Sequence, residues 1–157
     1  MNAIYLVVLL AGVGTSNVES NLLKLHNHYR RSAPDLSIDP TLKKAAQDHA
    51  NWMARNRVMQ HNQGLRSLLS KFPGVSENVA AGHRSSTEVV WGWMNSDGHR
   101  SAILDPRFRF VGFGVARSAA GRLYWCTVFG AGGQMRRAPP QPMPQYYVPR
   151  YYRRGWR

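Results

Sequence analysis

The chain has 157 residues, enough for one domain that buries a real core without a metal or disulfide staple. Its single cysteine, Cys126, excludes an internal disulfide and any cysteine-rich zinc module, and 43% hydrophobic residues with five Trp and seven Tyr exclude a wholly disordered chain. Lys and Arg outnumber Asp and Glu by 21 to 8, a net charge of +13 that would attract polyanions without naming one.

In chain order, Ala3 to Gly14 is an uninterrupted apolar run. It is shorter than the roughly 20 residues of a spanning helix and suits the core of a signal peptide, with small residues at Ala11 to Gly14 near a cleavage point. Residues 1–16 therefore read as a signal peptide, and the protein as secreted or extracytoplasmic. Ser16 or Asn17 is expected to cap a first helix carrying Leu22, Leu25 and Tyr29 on one face and ending before Pro34. Asp39-Pro40 starts a second, with Asp as N-cap and Pro at the first helical position. There Leu42, Ala45, Ala46, His49, Ala50 and Met53 recur at helical spacing. Phe72-Pro73-Gly74 breaks the chain before an extended segment, Val75 to Ala81. Ser85 or Ser86 caps a third helix through Met94, and Asn95-Ser96-Asp97-Gly98 reads as a turn. Phe108–Ala116 and Leu123–Gly130 read as two strands joined by a hairpin turn at Ser118-Ala119-Ala120-Gly121. Gly112 and Gly114 in the first of them point to a bulge or close backbone approach. This order gives an α+β domain over residues 17–130, helices packed on a small, mainly antiparallel sheet.

Residues 131–157 differ in kind. They hold five of the nine Pro, four of the seven Tyr, six Arg and no acid. Pro at 139, 140, 142, 144 and 149 blocks regular helix and central strand, so a disordered basic tail is expected. Arg136, Arg137, Arg150, Arg153, Arg154 and Arg157 would carry any contact with an anionic surface. For an exported protein no specific nucleic-acid partner is expected.

The domain holds no Gly-rich phosphate loop, HExxH, G-x-S-x-G or nucleotide fingerprint. His26 and His28, at i and i+2, do not share a helix face. His49, on an apolar stripe, reads as a packed, hydrogen-bonded histidine, and Cys126 as an inert buried thiol. Trp91, Trp93 and Trp125 read as core. What remains is His61, Glu77, Glu88 and His99, each at the edge of an element. Glu88, in a helix first turn, also suits the helix dipole.

The run from Ser86 through Glu88, Trp91-Gly-Trp-Met-Asn-Ser-Asp-Gly-His99-Arg and on to Gly114 resembles the core of the CAP superfamily (cysteine-rich secretory proteins, antigen 5, pathogenesis-related 1), especially its bacterial secreted branch. Leu25-His26-Asn27 with Arg30, Ser76-Glu77-Asn78-Val79-Ala80 and Tyr124-Trp125-Cys126-Thr127-Val128-Phe129-Gly130 agree in order. The resemblance implies a three-layer α-β-α sandwich and a cleft formed by His61, Glu77, Glu88 and His99. It implies His61 and His99 as ligands of Zn2+ or another divalent cation, with Glu77 and Glu88 as the groups for any proton transfer. The disulfide framework of many members is absent, and Arg100-Ser101-Ala102 replaces the residues that follow Gly-His in the animal signature. Three function classes follow: a secreted protein whose His/Glu cleft binds a cation or small ligand, a metal-assisted hydrolase, and an envelope adhesion protein acting through its basic tail.

Overall fold

A computed structural model describes residues 14–132. Residues 1–13 of the expected signal peptide (1–16) and the tail beyond residue 132, with its six arginines, lie outside the described residues. The elements are α1 (Gly14–Tyr29), β1 (Ser37–Ile38), α2 (Pro40–Asn56), a short 3-10 helix (Leu65–Ser70), β2 (Val75–Ala81), α3 (Ser86–Met94), α4 (Asp97–Leu104), β3 (Phe108–Arg117) and β4 (Leu123–Ala131).

Side-chain parity along β4 explains the layering. Tyr124, Cys126 and Val128 face α2, where they pack with Leu42, Ala46, Ala50 and Met53. Trp125, Phe129 and Ala131 face the other way, onto Leu22 of α1, Val89, Val90 and Trp93 of α3, and Ile103 of α4. Because successive strand residues point to opposite faces, a strand apolar on both parities must be covered on both sides. The result is the expected three-layer α-β-α arrangement. Strand order is β1-β3-β4-β2. The β3–β4 hairpin and the β2–β4 pair are antiparallel, and the two-residue β1 joins β3 in parallel.

The close-approach reading of Gly112 and Gly114 holds, and α2 is what approaches. A Cβ on Gly112 would lie 2.0 Å from the Leu42 carbonyl carbon, and one on Gly114 would lie 2.3 Å from the Ala46 oxygen. The α2 backbone therefore rests directly on β3. A register shift also falls between Phe108 and Phe110. The start of α2 is as read: Asp39 accepts from the Thr41 and Leu42 N–H groups, with Pro40 in the first turn.

Three local expectations need correction. The first helix is already helical at Gly14, so Ser16 and Asn17 lie within it rather than capping it. Asn95–Gly98 is not a free turn, because Ser96 is the N-cap of α4 and Asp97 begins it. The strands run one residue beyond the expected ends, to Arg117 and Ala131, because the hairpin ladder continues there. Trp93 and Trp125 are core, whereas Trp91 is only half-buried.

The turn after α1 closes on Arg30, which is 1% exposed. Its guanidinium donates to the carbonyls of Pro34, Ile103, Asp105 and Phe108, joining the ends of α1 and α4 to the start of β3. Asn27 adds a reciprocal pair with the Leu36 backbone, at 3.1 and 2.8 Å. The Leu25-His26-Asn27…Arg30 segment is thus a structural clasp.

Candidate functional site

Parity in β2 places Glu77 and Val79 on the α2 side of the sheet, and the register sets them opposite Val128 and Cys126 of β4. A carboxylate in that position is buried, its side chain 2% exposed, and must be compensated by hydrogen bonds. Its Oε1 accepts from Asn62 N–H at 2.9 Å and meets His61 Nδ1 at 2.8 Å. Its Oε2 lies 3.5 Å from Cys126 Sγ and 4.0 Å from His49 Nε2. Glu77 thereby fixes the loop after α2 at Asn62 and orients the His61 ring, which is itself exposed.

His49 anchors the same loop from below. Its Nε2 lies 2.8 Å from the Gln60 carbonyl, and its ring stacks on Trp52 at 5.7 Å. It is packed and hydrogen-bonded, as its place on the apolar stripe suggests, yet it also borders Glu77. The Cys126 thiol is buried, and burial together with the neighbouring Glu77 charge pushes its pKa well up. A thiol held protonated in this way is a poor nucleophile.

His99 sits in the first turn of α4, half-buried, with Nδ1 2.9 Å from Ser96 Oγ. Its backbone carbonyl accepts from Asn78 Nδ2 at 3.0 Å, which ties α4 to the strand residue next to Glu77. Burial lowers the His99 pKa, and the charge of His61 lowers it further. In both rings Nδ1 is engaged, by a carboxylate in His61 and by a hydroxyl in His99. With Nδ1 as the protonated nitrogen, each Nε2 keeps a lone pair for a ligand or a proton.

Glu88 is placed differently. Its Oε2 accepts from Arg84 N–H at 2.7 Å, and its own N–H donates to the Ser85 N-cap hydroxyl at 3.2 Å. The pair closes the start of α3 in the manner of a capping box. The nearby imidazole is that of His83, whose pKa burial lowers and the Glu88 charge partly restores. His61 and Glu77 are thus hydrogen-bonded to one another, His99 is tied through Asn78 to the strand residue beside Glu77, and Glu88 bonds at the start of α3.

Two contributors were not singled out from sequence as site residues, Ser96 and His49. The hydroxyl three residues before His99 is a legible signal once α4 is known to start there. The role of His49 depends on tertiary contact with the Gln60 loop.

This fold and polar group define a class of domain. Residues 23–129 match the family described as the cysteine-rich secretory protein family, CAP, and the chain belongs to that family. It is 31% identical over 115 residues to the Bacillus subtilis protein YkwD, covering 67% of this chain and 45% of that one. Among solved structures, an extracellular SCP-domain protein of Bacillus anthracis superposes with a TM-score of 0.64 at 25% identity, over 74% of this chain and 41% of that one. An outer surface protein of Borrelia burgdorferi gives 0.61 at 23% identity, over 71% and 87%, a likeness of fold alone. The chain spans less than half the length of YkwD and of the Bacillus anthracis protein. Among the described residues, no helix is long and apolar enough to cross a membrane.

Proposed function

We propose that this is an extracytoplasmic CAP-domain protein whose His61–His99 site takes up a divalent cation such as Zn2+, or a small ligand in its place. The observation that carries the reading is the engagement of His61 Nδ1 by the buried Glu77 carboxylate. A carboxylate on the far nitrogen fixes the tautomer and raises the basicity of a metal-binding imidazole. Export is supported by the apolar run at residues 3–14 and by the Bacillus anthracis neighbour described as an extracellular protein.

Among the described residues, no group of three or more His, Cys, Asp and Glu is arranged to hold a metal ion. A cation here would take two imidazole nitrogens and complete its shell with water, so binding is weak and exchangeable. The hydrolase reading has less behind it, because Glu88 is committed to the start of α3 and Glu77 to His61 and Asn62. Adhesion through the arginine tail rests on composition alone.

Calorimetric zinc titration of the full chain tests this reading. Wild type should bind at pH 7.5 and at least about tenfold more weakly at pH 5.5, because a protonated imidazole cannot ligate. The His61→Ala/His99→Ala double variant should lose the same heat at pH 7.5. Equal affinity at the two pH values, or in the double variant, overturns it.

A further inference from the structure

A second site lies at the far end of α2, where the helix terminus meets the turn of the β3–β4 hairpin. The cavity there has a volume of about 340 Å³, and Arg55, Arg57, Arg117, Asn51 and Ser118 are among its lining. No acidic residue lines it. Among the described residues, none of the three arginines has a carboxylate at ion-pair distance. Arg117 spends one N–H on the Gly121 carbonyl, at 2.9 Å. A guanidinium has five donors, so most of the fork remains. Asn51 Oδ1 is taken by Gln47, leaving its amide N–H groups as donors, and Ser118 is buried with its hydroxyl accepting from Arg122 N–H.

Backbone conformation supplies an independent observation. Arg57 is the C-cap of α2 at φ 55° and ψ 32°, and among the described residues it is the one non-glycine with positive φ. This is the position where glycine ends a helix at least cost, because a Cβ is crowded there. An arginine held in that conformation at the rim of a cavity with two more arginines points to use of the side chain rather than to helix termination.

We infer that this concavity binds a phosphate ester. Three guanidiniums without a competing acid favour an anion with more than one charge. A tetrahedral oxyanion offers several oxygens to planar donor forks, and arginine binds phosphate in this bidentate manner. The volume fits a group of monosaccharide-phosphate size. Basic side chains also suit the carbonyl end of a helix, and a role confined to the helix end would leave anion affinity indifferent to Arg57 in particular. Neither His61 nor His99 lines this concavity, and the inference does not depend on the cation reading.

The test uses the full chain, so that the basic tail is present in every arm. Inorganic phosphate and glycerol 3-phosphate are titrated calorimetrically, and phosphatidylglycerol vesicles are run in parallel to separate a soluble ester from a lipid headgroup. Arg57→Gly should weaken binding about tenfold, as should Arg55→Ala/Arg117→Ala. Arg57→Gly should also raise Tm by about 3 °C, since relief of the left-handed conformation is stabilising. That rise shows the lost affinity is not a folding defect. Arg31→Ala, which removes one exposed charge outside the cavity, should stay within about twofold of wild type. Variant-sensitive binding of the soluble esters supports a free phosphate ester as ligand, and sensitivity confined to vesicles supports a headgroup phosphate. Arg57→Gly and Arg31→Ala behaving alike in both arms overturns the site.

Discussion

Two histidine-bearing polar groups lie in this domain, and they differ in how far they reach solvent. Around His26 and Arg30 the polar groups are sealed from solvent, and His26 Nε2 is buried with no hydrogen-bond partner among the described residues. Arg30 spends its guanidinium on four carbonyls, and His26 Nδ1 meets the Leu22 carbonyl at 2.7 Å. The His26 ring is fully buried beside Trp93, Phe113 and Phe129. Around His61 and His99 the partners engage one nitrogen of each ring and leave the other. The same residue type is thus sealed in the core in one region and reaches solvent in the other. The distinction is one of burial, not of residue identity: His26 is fully buried, whereas His61 is exposed and His99 half-buried.

The largest expected effect is at the clasp. Arg30→Ala deletes five hydrogen bonds from a charged donor and leaves four carbonyls to find other partners, so it should cost about 4 kcal/mol by chemical denaturation. A loss under about 1 kcal/mol would remove the contrast between the two regions.

Next is acid sensitivity. Burial lowers the His26 pKa from 6.5 to about 4, so the unfolded chain binds the proton more readily than the native one. Stability therefore rises with pH between about 4 and 6.5 and falls on acidification through that window. The linkage is worth about 3 kcal/mol over the whole range. His99 and His83 act in the same direction. Denaturation midpoints across this range should flatten in His26→Leu, and an unchanged slope would assign the acid sensitivity to other groups.

The smallest effect is at the open site. His61 is 61% exposed at its side chain, and Glu77 keeps the Asn62 N–H when the ring is removed. His61→Ala should change stability by less than about 1 kcal/mol. A larger loss would make His61 a second clasp.

Much of this frame is legible in the sequence, for identifiable reasons. The Asp39-Pro40 start, the α2 stripe and the two glycines facing it are local signals of a helix lying on a strand. α4 is hidden because its first turn, Asp97-Gly98-His99-Arg100, has turn composition, and of its eight residues only Ala102 and Ile103 are buried. β1 is two residues long, and its partner is a strand more than 70 positions away, so no local pattern announces it. At the site, the resemblance singled out His61, Glu77, Glu88 and His99 together, since residue type and spacing alone do not bring them to one cleft. The Ser85-x-x-Glu88 spacing is itself a helix-start signature, and it foretells the Glu88 bonds at the start of α3. The meeting of His49, Cys126 and Glu77 depends on how α2 crosses the sheet, which spacing along the chain does not encode.

The contrast between the proposed His61–His99 site and the sealed His26 is tested most directly by NMR of the imidazole nitrogens during zinc addition at pH 7.5. The Nε2 resonances of His61 and His99 should shift together while those of His26 stay fixed. Movement of His26, or no movement of the pair at zinc concentrations that saturate the calorimetric titration, would contradict it.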